Sequence, residues 1–201
     1  MKKWQQNPFI QFILTLLLLS LASVASAHTD AATLRGGFSS GFMHPISGLD
    51  HVVAMVAVGL WGAFLGKPAI WILPIVFPLV MAFGGALGVA GVPIPYIETG
   101  IALSGLLLGL AVVFALRPPI WVAAVIVGAF AIFHGHAHGA ELPKATNPLV
   151  FSIGFVIGTG LLHLAGIAIG ELKRWSWGEY IVRAGGGIIA TIGLAFLVGA
   201  L

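Results

Sequence analysis

Beyond residue 36 the chain consists of long apolar runs closed by short punctuation, with almost no charge inside the runs. Six stretches can be drawn, at 36–66, 68–90, 96–116, 118–135, 147–170 and 180–201. A helix crossing the hydrocarbon of a bilayer needs roughly 20 apolar residues, and each stretch is expected to reach that length. The runs are continuous rather than alternating, which favours helices over a membrane β-barrel. Charged residues make up 7% of the chain, where a surface that must meet water carries about 25%. The expected fold class is therefore all-α: a polytopic membrane helix bundle of six transmembrane spans forming one domain. Gly-Lys-Pro at 66–68, Gly-Val-Pro-Ile-Pro at 91–95 and Arg-Pro-Pro at 117–119 mark the connections.

The segment before these runs has a different logic. Lys2-Lys3, an apolar core from Phe9 to about Val24 and Ala25-Ser26-Ala27 have the order of a secretory signal peptide. Cleavage after Ala27 is expected, which leaves residues 28–201 with His28 leading on the outer face. From that start, Lys67, Arg117, Lys173 and Arg174, together with Arg183, fall on the cytoplasmic side, and only Arg35 and Lys144 fall outside. This distribution obeys the positive-inside rule, so both ends of the mature chain are expected outside. Glycines four apart, at 62/66, 84/88, 105/109, 154/158 and 166/170, suit close packing of helix backbones.

Against this background the ionisable residues inside the runs stand out, because a charge at the bilayer centre costs about 2.5–3.5 kcal/mol on insertion scales. His44, Asp50 and His51 fall within eight residues of the first stretch, around Pro45 and Gly48. Pro45 cannot donate a backbone hydrogen bond and Gly48 weakens helix. A broken first span is expected, with a short piece before His44 and a full span after Gly48. At the outer end of the fourth stretch, His134, His138 and Glu141 are spaced to share one helical face, with His136 turned away. Glu98, at the start of the third stretch, is expected at the same depth. His163 lies deep in the fifth and suits a relay or a supporting partner.

Imidazole with carboxylate, in a chain without cysteine, suits Ni, Co, Zn, Fe(II) or Cu(II) and disfavours soft Cu(I). The nine Lys and Arg are scattered, so no nucleic-acid partner is expected, and no nucleotide-binding motif occurs. The membrane potential itself favours inward movement of a divalent cation by about 2 × 2.3 kcal/mol per 100 mV. Rival readings of the same residues are an intramembrane metalloenzyme, a haem carrier using His51 and His163, and a metal-binding accessory protein that does not transport. No H-E-x-x-H motif supports the first, and no enzymatic activity is expected.

Two motifs, His44-Pro45-x-x-Gly48-x-Asp50-His51 and Phe133-His134-Gly135-x-Ala137-His138-Gly139-x-Glu141, resemble the HupE/UreJ family of bacterial inner-membrane proteins. Members are regarded as nickel or cobalt permeases linked to hydrogenase or urease maturation. The resemblance implies that His44, Asp50, His51, Glu98, His138 and Glu141 handle the metal, with His134 and His163 behind them; His28, at the mature N-terminus, is expected to assist capture. It implies Ni²⁺ or Co²⁺ as a transported substrate rather than a resident cofactor. It also implies metallochaperones or hydrogenase and urease maturation proteins as partners.

Overall fold

The computed structural model describes residues 30–141 and 147–201, with side chains from residue 36 onward. The expected signal peptide and His28 lie outside the described residues. Among the described residues seven α-helices follow one another: α1 (Asp30–Ser47), α2 (Leu49–Leu65), α3 (Ala69–Val89), α4 (Ile97–Val113), α5 (Ile120–Ala140), α6 (Pro148–Gly170) and α7 (Gly178–Leu197). A 3₁₀ turn at Glu171–Arg174 joins the last two. No strand occurs among the described residues.

Four helical segments are long and apolar enough to cross a membrane: α3, α5, α6 with its 3₁₀ extension, and α7. The bent pair α1–α2 counts as a fifth if it is one span. The third stretch departs from expectation, because α4 has only 17 residues, about 25 Å at the usual helical rise. Its ends explain the loss. Tyr96 before it and Ala115 after it both have positive φ, a conformation that side chains with a Cβ rarely adopt and that stops a helix.

The break in the first stretch exists and lies at Gly48, the far end of the expected Pro45–Gly48 segment, although the helix before it runs past His44. Helix α1 continues through His44 and Pro45 to Ser47. The chain breaks at Gly48, which is extended (φ −96°, ψ 118°), and the axes on either side differ by 80°. Pro45 deprives only the Gly41 carbonyl of a donor, and the Ser47 hydroxyl steadies the same last turn by donating to the Met43 carbonyl at 2.8 Å. Gly48 has a steric reason to be glycine. A Cβ there would come within 2.8 Å of Asp50 Oδ1 and 3.1 Å of His51 Nδ1, so the missing side chain is what lets this pair fold back over the bend.

Packing joins α3 to α5, α1 and α2 to α6, and α4 to α7. Glycine makes these approaches possible. A methyl group at Gly84 or Gly88 would strike the α5 backbone, and one at Gly135 or Gly139 the α3 backbone. The pairing Met81–Gly135 and Gly85–Gly139 makes α3 and α5 parallel, and Val56–Gly166 and Leu60–Gly170 does the same for α2 and α6. Gly105 facing Gly193 and Gly109 facing Gly186 make α4 and α7 antiparallel. Gly66 is an exception to the packing expectation. Its φ is +83° with open space around it, and it ends α2 rather than seating a neighbour.

The buried core centres on α2, where Val53 to Phe64 are buried almost without interruption. The outer faces are apolar, as in the exposed stripe Trp71, Ile75, Leu79 and Phe83 of α3, which suits lipid contact. Basic residues gather at one end. Lys173 donates to the Ala63 and Phe64 carbonyls at the end of α2, and Arg183 Nε donates to the Val113 carbonyl at the end of α4 (2.8 Å). Arg117 lies over the Phe64 ring. Cations at helix C-termini satisfy free carbonyls and complement the dipole. The histidines other than His163 occupy the opposite end among the described residues.

Candidate metal site

Three elements bring the ionisable residues together. The end of α1 supplies His44, the start of α2 supplies Asp50 and His51, and the last two turns of α5 supply His134, His138 and the following Glu141. Since α5 runs to Ala140, beyond the expected end of its stretch, both His134 and His138 have a rigid helical base.

One ligand atom from each of His44, His138 and Glu141 lies within 4.8 Å of the others. His44 Nε2 is 3.9 Å from Glu141 Oε2, and the His44 and His138 rings are 4.8 Å apart between centroids. Neither ring nitrogen of His138 has a hydrogen-bond partner among the described residues, although the side chain is buried. Leaving such groups unpaired in an apolar interior is costly. Two imidazoles and a carboxylate at this spacing can close on a single divalent cation with a small side-chain adjustment.

A second group lies one turn deeper. The His51 ring is 4.4 Å from His138 and 5.0 Å from His134. Its Nδ1 lies 2.9 Å from Asp50 Oδ1, so an N–H there donates to the carboxylate and the buried Nε2 keeps its lone pair. His134 is set by the same logic from another direction. Ser104 on α4 has one hydroxyl proton, and it goes to the Ile101 carbonyl at 2.6 Å. The 2.9 Å contact between Ser104 Oγ and His134 Nε2 then requires the imidazole to donate, which leaves Nδ1 unprotonated, buried and without a partner. Hydrogen bonds that fix the tautomer of an imidazole in this way are the usual second layer of a metal site.

The expected residues thus fall into distinct positions. His138 and Glu141 converge with His44, whereas His134 turns toward His51 and Ser104 instead of joining that set. His136 points away, as its spacing implies, and donates to the Val92 carbonyl at 2.7 Å, which ties the α3–α4 turn to α5. Glu98 is exposed and faces Asp50 across a cavity of about 270 Å³ that also involves Thr99 and Phe196. Two carboxylates at such a mouth favour cation entry. His163 is apart from the group, buried in α6, with the Phe77 ring between it and His134 at 5.5 Å from each.

Sequence reasoning missed Ser104, Phe77, Phe151 and Phe155. Phe151 and Phe155 wall the site, with His138 edge-on to Phe155 at 4.5 Å and His44 to Phe151 at 5.6 Å. Ser104 had a usable signal, as a hydroxyl deep inside an apolar span. The phenylalanines had none, being ordinary members of apolar runs. A cavity of about 630 Å³ lies elsewhere: it is an apolar groove between α4 and α5 near Arg117 and offers no set of metal-binding atoms.

The family model described as HupE / UreJ protein matches residues 16–196. The chain is also similar to a protein of Rhizobium leguminosarum bv. viciae described as "Protein HupE", with 46% identity over 185 residues, covering 92% of this chain and 96% of the relative. No solved structure matches.

Proposed function

This chain belongs to the HupE/UreJ family, and from that premise we propose that it is an inner-membrane permease that imports a divalent transition metal, nickel or cobalt. The observation carrying this reading is the convergence of His44, His138 and Glu141 within 4.8 Å at one end of an apolar bundle. Buried ionisable groups are expensive in a membrane and mark ion pathways when they persist. The donor set suits borderline divalent ions.

In this mechanism Glu98 and Asp50 attract the hydrated ion, with His28 of the mature N-terminus assisting. His44, His138 and Glu141 replace part of its water shell, and His51 and His134 receive it a turn deeper. The membrane potential then drives it inward. The remaining assignments belong to the same proposal: residues 1–27 are removed as a signal peptide, and six spans cross the membrane. The alternating helix directions support that count, with α1–α2 as one bent span and α4 as a short one. The histidine end faces the periplasm with both termini of the mature chain, and the basic end faces the cytoplasm, where the positive-inside rule puts it. Recipients of the metal would be metallochaperones or the maturation proteins of hydrogenase or urease.

The test is uptake of radiolabelled nickel and cobalt by cells expressing the wild type or His44→Ala. Accumulation above vector background by the wild type and its loss in the variant are expected. Equal accumulation in both would remove the site from the mechanism. Metal binding by purified protein without flux into proteoliposomes would instead make the chain a non-transporting accessory protein.

A further inference from the structure

A permease with ligands only at its outer end leaves the rest of the passage unaccounted for. Inward of the histidine group, toward the basic end, the buried polar side chains among the described residues are Thr159 and His163. Both belong to one stripe of α6. Phe151, Phe155, Thr159, His163 and Ile167 recur every fourth residue and are all buried, which makes them one ridge winding slowly along the packed side of the helix. Phe155 touches His138. His163 comes eight residues later, about 12 Å farther along the helix at the usual rise, toward the middle of the apolar layer.

These two side chains are chemically unsatisfied. Thr159 Oγ1 and both ring nitrogens of His163 have no hydrogen-bond partner among the described residues, although Thr159 is fully buried and His163 is 2% exposed. A third polar group comes from α3. Pro78 has no N–H, so the Pro74 carbonyl, four residues earlier, has no donor within its own helix. Pro74 and His163 line one cleft of about 370 Å³ between α3 and α6. An imidazole and a freed backbone carbonyl from two helices therefore share one cleft, with a buried hydroxyl one turn away on α6, where apolar packing would be cheaper.

We propose that His163, Thr159 and the Pro74 carbonyl form an inner station for the partly dehydrated divalent cation after it leaves the outer histidines. The proposal rests on the permease reading above. The station has one borderline-soft nitrogen ligand and two neutral oxygens, and no carboxylate. It holds a divalent ion more weakly than the outer set, as an exit site must if the ion is to move on.

Co²⁺ alone serves as the probe, with purified protein in detergent for equilibrium binding and in proteoliposomes for flux. His163→Leu should bind Co²⁺ at the outer group with wild-type affinity, which also shows that the variant is folded, while flux falls roughly tenfold or more, the loss usual for a metal-shell residue. Thr159→Val should reduce flux and Thr159→Ser should restore it. Flux in His163→Leu within about twofold of wild type, a change too small for a lost ligand, would overturn the station. Loss of both binding and flux would also overturn it, since His163 would then belong to capture or to the fold. If the wild type binds Co²⁺ but shows no flux, the permease reading fails. The station is then judged by NMR of histidine-labelled wild type with Co²⁺ bound: a contact-shifted His163 signal keeps it as a binding site, and an unshifted one removes it.

Discussion

Asp50 and His51 are adjacent in sequence and bonded in space, with the carboxylate accepting from the imidazole Nδ1 at 2.9 Å. Adjacent residues on a regular helix point in different directions. The contact forms here because both sit in the first turn after the bend, where Gly48 has no Cβ to block them. Asp50→Asn replaces the acceptor charge with an amide, which weakens this bond and lets the ring turn. Metal affinity of purified protein should fall about 10- to 100-fold, the usual cost of removing such a partner. Equilibrium binding of Ni²⁺ measures this, and an unchanged affinity would mean that Asp50 does not orient His51.

His44 and Glu141 come from α1 and from the end of α5, and their side chains meet at 3.9 Å beside His138. If they act on one ion, their effects on binding cannot be independent. His44→Ala and Glu141→Gln should each weaken Ni²⁺ binding, and the double variant should lose less than the sum of the two. A coupling of about 0.5–3 kcal/mol is the range expected for residues in one network. Strict additivity would place them in separate sites.

Ser104→Ala removes the acceptor that holds the Nε2 proton of His134, while Ser104→Thr keeps a hydroxyl. Nitrogen NMR of labelled histidine should show one dominant His134 tautomer in the wild type and the Thr variant, and a mixture in the Ala variant. A single unchanged tautomer in all three would show that Ser104 plays no part in setting it.

The helical class and the family were legible in the sequence because both rest on local pattern: apolar run length, and two motifs of fixed spacing. The basic end was legible for a similar reason, since scattered Lys and Arg fell on one side once a starting orientation was assumed. The break in the first span was found through Pro45 and Gly48 together, but the sequence could not say that the proline is accommodated and the glycine is not. That depends on Asp50 and His51 needing the space above Gly48. The split between His138 and His134 was hidden as well. Their spacing gives them one face of α5, and only the neighbours decide their partners: α1 brings His44 to His138, and α4 brings Ser104 to His134.

The helix contacts make a last prediction that is independent of metal. A Cβ at Gly139 would collide with the Gly85 backbone, whereas Gly160, inside α6, has nothing within 4 Å of the same position. Gly160→Ala should therefore keep or slightly raise thermal stability in detergent, since alanine is preferred to glycine within a helix by up to about 1 kcal/mol. Gly139→Ala must push α3 and α5 apart, and that pair also sets where His138 sits relative to His44. It should lower the unfolding temperature and weaken Ni²⁺ binding together, even though no ligand is altered. Thermal unfolding followed by circular dichroism and Ni²⁺ titration on the same samples would check both. A Gly139→Ala protein as stable as Gly160→Ala would contradict the close α3–α5 approach on which the site geometry depends.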